Sequence, residues 1–202
     1  MRRMFLIGWV MLLPLGGLYH LLAGPEHQDL DEIGNALAEA REMVRAEKFS
    51  PAVIRFEDAI ESLPVELVDD ARRIRLEMAQ AKMNAARLPE ANADLKTLLD
   101  EMLTDENRGD EGSEVEFEQS VRESLASSQF YMTWLMRLEG LPVTEWEPEI
   151  ESARQNYRML AEKAEHAGRS ERAQKQRENL EATIRLARLD LSDLQGLPLP
   201  NQ

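Results

Sequence analysis

From Asp31 onward the apolar residues of this chain return at three- and four-residue spacing. That spacing draws one apolar stripe down an α-helix, whereas a half-buried strand needs a period of two. The residue types agree with the period. Ala, Leu, Glu, Arg and Met dominate, all good helix formers, while Val, Ile, Thr and the aromatics are scarce. The expectation is an all-α body, and 202 residues are enough for one domain with a buried core plus a short appendage.

Punctuation residues divide the body into segments. A first helix is expected over Asp31–Glu47, and Ser50-Pro51 reads as an N-cap and first helical residue of a second, ending at Leu63-Pro64. A third is expected over Val65–Arg87 and a fourth from Pro89 to Met102. Gly109 and Gly112 then break the pattern in an acidic linker, residues 104–113. Asp105, Asn107 and Glu116 invite a calcium-loop reading there, but Gly109 stands where a fifth-position oxygen is needed and Asp110 replaces the turn glycine. A C-terminal helical part spans 114–192, followed by a tail over 193–202. Its first helix, Glu114–Leu138, carries Phe117, Val121, Leu125, Phe130, Tyr131, Trp134, Leu135 and Leu138 on more than one side, which suits a central position. Gly140 and Pro142 end it, and Thr144 restarts a helix bearing Trp146, Ile150, Ala153, Tyr157, Leu160 and Ala164. Gly168 closes that one, and Ser170 is the expected cap of the last, which turns apolar only at Leu180, Ile184, Ala187 and Leu191.

The first 25 residues are of another kind. After Met1-Arg2-Arg3, residues 4–23 contain His20 as the only ionisable group. Such a stretch, at about 1.5 Å per residue, matches the hydrocarbon thickness of a bilayer. Arg2 and Arg3 before it, and Glu26, Asp29, Asp31 and Glu32 after it, place the N-terminus in the cytoplasm by the positive-inside rule. For a bacterial protein this is a single-pass inner-membrane anchor with the helical body in the periplasm. Cleavage as a signal peptide is the alternative. It would leave a soluble periplasmic adaptor, but Leu21 at −3 from Ala23, or Pro25 directly after Gly24, makes a poor site. His20 beside Tyr19 reads as an interfacial pair at headgroup level.

The run KFSPAVIRFEDAIESLP places Phe49, Ala52, Phe56, Ala59 and Pro64 at the spacing of the packing positions in the second helix of a tetratricopeptide repeat. Ala40 takes the small position of the first helix, and Ala79, Leu88, Ala91, Leu95 and Leu98 repeat the pattern. Over residues 33–102, and more loosely 115–165, the chain thus resembles that family, although Ala52 and Ala91 stand 39 positions apart where the family has 34. The resemblance implies antiparallel helix pairs stacked as a short solenoid (residues 31–103) with a polar C-terminal capping helix, and a binding face built by the first helix of each pair. Here that face would include Leu37, Arg41, Val44, Arg45, Arg73, Leu76, Gln80 and Met83. The contact residues expected for a partner are Leu37, Arg41, Arg45, Arg73 and Met83. Arg45 with Glu42 and Arg73 with Glu77 have the spacing of intrahelical pairs, whereas Arg41 meets only Leu37, Ala38, Val44 and Arg45 at such distances. The carboxylate clamp of chaperone-binding members is missing, because Leu37 and Glu77 stand where it needs Lys and Asn.

Charge and chemistry narrow the function classes. A net charge of −14 repels nucleic acid and an anionic leaflet from the body, and favours basic protein partners. Without cysteine there is neither a thiolate metal site nor a thiol nucleophile, and His20, His27 and His166 lack ligand spacing. No phosphate loop or nucleophile elbow occurs. Neither a cofactor nor catalysis is expected, though distant residues converging into a hidden active site remain an alternative. The expected role is a membrane-anchored scaffold or accessory subunit that binds other proteins of a larger inner-membrane complex.

Overall fold

The computed structural model describes residues 31–105 and 112–195. The expected anchor at 4–23, most of the acidic linker and the end of the tail lie outside the described residues. Those described are helices joined by short turns, with no strand among them. The helices are α1 (31–45), α2 (Phe49–Glu61), α3 (Val68–Asn84), α4 (Leu88–Thr104), α5 (Gly112–Leu138), α6 (Val143–His166), α7 (Ser170–Arg188) and α8 (Leu191–Gln195). None of them is long and apolar enough to cross a membrane.

The expected boundaries shift where turn geometry overrides side-chain caps. Lys48, not Ser50, is the N-cap of α2, and Arg169, not Ser170, that of α7; neither cap makes a side-chain hydrogen bond. Pro142 likewise precedes α6, which starts at Val143 rather than Thr144. The reason is how the preceding helix ends. Glu47 takes φ 57° and the Lys48 N–H reaches back to the Met43 carbonyl at 2.8 Å, in a Schellman closure. The next helix follows without a gap, so the serine falls inside its first turn. Ala86 (φ 58°), Gly140 (φ 76°) and Gly168 (φ 69°) close their helices in the same way, with Arg87, Leu141 and Arg169 donating to Lys82, Met136 and Ala164. The third helix starts at Val68, later than expected, because Leu67 N–H bonds to the Pro64 carbonyl in a turn. Asp69 and Asp70 then occupy the favourable first turn.

Glu47 and Ala86 hold left-handed backbone that costs a residue with a Cβ about 1–2 kcal/mol and glycine far less. Ala86→Gly is therefore expected to raise stability by about 0.5–1 kcal/mol, the added chain entropy of glycine offsetting part of the relief. Urea titration checks this, and a variant less stable than the parent would sink the assignment of strain at that turn.

Contacts divide the chain into two compact units that meet between Ala71 and Arg72, within α3. In the first, Ile33 and Ala40 of α1 and Ala52, Val53, Phe56 and Ala59 of α2 are buried, and Glu39 pairs with Arg55 across the two helices at 3.3 Å. In the second, Leu76 and Ala79 of α3 pack with Leu95, Leu98, Leu99 and Met102 of α4 and with Val121 and Leu125 of α5. Lys82–Asp94 and Arg72–Asp105, each at 2.7 Å, tie α3 to α4 along the same seam. Ala126 of α5 packs with Ala153, Tyr157 and Leu160 of α6. Helices also meet the next but one: Gln80 of α3 donates to Ser124 of α5 at 3.0 Å, Lys96 of α4 pairs with Glu149 of α6 at 2.6 Å, and Lys175 of α7 with Glu123 of α5 at 3.0 Å. Within the second unit α5 thus buries apolar side chains on both α3 and α4, and α7 on both α5 and α6, the packing logic of stacked hairpins.

A short internal pattern recurs in these hairpins. Ala40, Ala79 and Ala161 are each followed seven residues later by a turn residue of positive φ (Glu47, Ala86, Gly168) and twelve residues later by a second buried alanine (Ala52, Ala91, Ala173). The third copy of this spacing lies in α6–α7, partly beyond the span 115–165. Long α5 stands between the second and third copies.

Candidate functional site

The residues expected to contact a partner fall on α1 in the first unit and α3 in the second. On α1, Leu37 is half-buried while Arg41 and Arg45 are exposed. Arg45 pairs with Glu42 at 2.8 Å, as its spacing predicts. Arg41 is not the unpaired charge that its sequence neighbours suggest, for it too has an interaction partner in the fold. On α3, Arg73 is exposed and its guanidinium lies 5.8 Å from the centroid of the Phe117 ring of α5, within cation–π range.

Most of the rest of the expected α3 face is engaged within the fold. Leu76 is a core residue, half-buried Met83 packs on the same cluster, and Gln80 bonds to Ser124. The physical reason is α5. At 27 residues, with apolar side chains on more than one side, it lies along α3 as well as α4. Arg73 and Gln80 are the parts of that face left exposed.

What the periodicity did not disclose is a buried polar seam on α5. Glu118, Gln119, Ser124, Ser128, Gln129 and Thr133 are all buried. Asn92 of α4 donates to Ser128 at 3.1 Å, and Gln129 donates to Ser152 of α6 at 2.9 Å. The Glu118 side chain is 2% exposed, with Arg122 Nε at 2.5 Å and Lys163 Nζ of α6 at 3.5 Å. Arg122 also donates to Asn156 of α6 at 3.3 Å. A carboxylate so deep in protein needs such cationic partners to remain charged. The available signal was a Glu–Arg pair four residues apart, Glu118 and Arg122, each directly after an apolar residue, Phe117 and Val121.

One turn further on, Glu123 meets α7. Burial alone pushes its carboxyl up, but the hydrogen bond from Lys175 and the charges of Lys175 and Arg172 outweigh it and leave it below the ordinary value of 4.5. Because the folded value is depressed, the stability from this contact is fully present above that ordinary value and is lost as pH falls through the lower, folded one. Acid melting curves of the parent and Glu123→Gln are expected to differ most near neutral pH and to converge in acid. A constant gap at every pH would show that Glu123 is not charged against α7.

Phe130, Tyr131 and Trp134 lie toward the C-terminal end of α5, and Trp146 and Tyr157 belong to α6. Trp134 and Tyr157 are buried, and Phe130, Tyr131 and Trp146 half-buried, so the set is largely core, as its spacing predicts. Burial holds the Tyr157 phenol well above the ordinary tyrosine range, the hydrogen bond with Ser127 opposing it. The Arg137 guanidinium stacks on Trp146 at 4.8 Å and donates to the carbonyls of Leu186 and Leu189, closing the C-terminus of α7. Among the described residues no three His, Asp or Glu side chains are grouped so as to hold a metal ion. Comparisons with protein-family profiles, with curated proteins and with solved structures find no match.

Proposed function

We propose that this chain is a membrane-tethered, tetratricopeptide-like binding protein: a scaffold or accessory subunit whose helical body holds other proteins of a periplasmic or inner-membrane assembly. The observation that carries this reading is the recurring hairpin, with buried alanines twelve residues apart at 40/52, 79/91 and 161/173 around a left-handed turn. Such repeats act through the surfaces of their helices. Residues 4–23, bounded by Arg2 and Arg3 on one side and acids on the other, support the tether. Tethering suits the role, since two proteins confined to one membrane meet at high effective concentration and a weak contact then suffices. Leu37, Arg41 and Arg45 on α1, and Arg73 on α3, are the proposed contact residues, suited to acidic or amphipathic partner segments.

The test is co-purification from detergent-solubilised membranes. The full-length chain is expected to stay in the pellet after alkaline carbonate washing and to bring down at least one membrane-complex protein. Arg41→Glu/Arg45→Glu, and separately Arg73→Glu, should keep the parent's helical content, because exposed charge changes cost within about 0.5 kcal/mol. They should also reduce the captured partner by about tenfold, the effect of losing roughly 1.4 kcal/mol. Release by carbonate removes the tether from the reading, and folded variants that capture every partner as before remove the contact residues.

A further inference from the structure

We infer that the first half of α7, residues 170–179, is an ionic strap: charge holds it on α5 and α6, and it lifts in high salt while the second half of the same helix stays in place. The two halves differ in composition. In SERAQKQREN, from Ser170 to Asn179, Ala173 is the one apolar residue. It is buried, and the other buried side chain of that stretch is the amide of Gln176. From Leu180 to Arg188 the helix turns apolar. Leu180 packs on the cluster that holds Tyr157, and Leu186 is buried with Trp134 and Ile150. Arg137 of α5 also clamps that end through the carbonyls of Leu186 and Leu189.

Ion pairs do for the first half what apolar contact does for the second. Arg169, in the turn before it, pairs with Glu116 of α5 at 2.5 Å. Arg172 and Lys175 both reach Glu123 of α5, at 3.6 and 3.0 Å. Arg177 pairs with Glu165 of α6 at 2.6 Å, and His166 adds its charge beside that carboxylate. The cations in the same stretches of α5 and α6, Arg122 and Lys163, are held by Glu118. The strap's own acids, Glu171 and Glu178, are exposed, so residues 169–179 are net positive on a chain of net charge −14. These pairs are open to water: side-chain exposure is 44% at Arg169, 66% at Lys175 and 46% at Arg177. Each such pair shifts an equilibrium by up to about fivefold, and by less as salt screens it. Apolar burial is not screened in this way. A helical stretch with one buried alanine belongs to the low-stability end of a fold, and its hold weakens with ionic strength. None of these residues is among the contact residues proposed on α1 and α3, so the test stands whether or not those bind a partner.

The test is segment-resolved hydrogen exchange of the full-length chain in non-ionic detergent, at sodium chloride concentrations of about 0.02 M and about 1 M. Amides of residues 175–179 are compared with those of 183–188, which share the helix and the solvent and so correct for changes in intrinsic rate. In low salt the first set should already exchange faster. In high salt it should quicken by about tenfold or more, and the second set by no more than about twofold. Glu123→Gln/Glu165→Gln keeps the side-chain shapes and removes the two charges. In low salt this double variant should exchange at 175–179 about tenfold faster than the parent, and most of the salt response should be gone. The inference is overturned if both sets exchange at one rate or if salt quickens them equally, since α7 would then open as a whole. Indifference of 175–179 to salt overturns it too, as does a folded double variant that is as protected as the parent. Unfolding of the double variant would also count against it, because those acids would then hold more than the strap.

Discussion

Ala91→Arg is expected to lower the melting temperature of the second unit by about 10 °C or more. Ala91 has 0% exposure in the first turn of α4, on the face that carries Leu88, Leu95 and Leu98 into the core. Arginine there adds several heavy atoms to filled space, at about 1–3 kcal/mol, and brings a charge with no partner, at several kcal/mol more. A domain of this size holds only about 5–15 kcal/mol in all, and each kcal/mol moves the midpoint by about 2–4 °C. The control lies two residues away: Ala93 is exposed, so Ala93→Arg should melt within a degree or two of the parent. Ala52→Arg is the equivalent test in the first unit, where Ala52 is also at 0%. Parent-like melting of Ala91→Arg by circular dichroism would mean that the alanine faces solvent, and the repeat register would fall with it.

The second large effect concerns the buried charges of α5. Glu118→Leu is expected to destabilise the second unit by about 3–5 kcal/mol, because it strands a cation in low dielectric. Arg122 is the stranded group, with a side chain 12% exposed and Asn156 as its remaining acceptor. Lys163, 38% exposed, can turn to water. The double variant Glu118→Leu/Arg122→Met should recover most of the loss, since well-packed apolar residues replace buried ion pairs at little or no cost. Denaturant titration of the two singles and the double gives the coupling directly. Additive losses in the double variant would show that the two side chains do not act as a pair.

The difference between what was legible and what was not runs through these residues. Ala52 and Ala91 stand out because a repeated small residue at helical spacing reports one local fact, that two helix axes pass closely. Glu118 does not stand out. Its pairing with Arg122 looks the same on a solvated face, and only the arrival of α6, with Lys163 and Asn156, buries it. Ser50 and Ser170 misled for a related reason. A serine before an apolar run favours the N-cap, but a Schellman closure five residues back to Met43 or Ala164 sets the chain direction first. Met83 and Leu76 look like groove residues until a 27-residue helix is laid over them.

The sequence by itself determined the all-helical class, the placing of seven of the helices to within a few residues, and the alanines of the first two hairpins. These follow from periodicity, propensity and turn residues, which act over one or two turns of chain. Only the tertiary structure decided which polar residues are buried, which arginines stay exposed and that Leu194 of α8 packs against Trp134. Those outcomes depend on which helix surfaces meet: Lys175 and Glu123, or Leu194 and Trp134, lie more than fifty residues apart in sequence and come together only when helices distant in the chain are packed side by side.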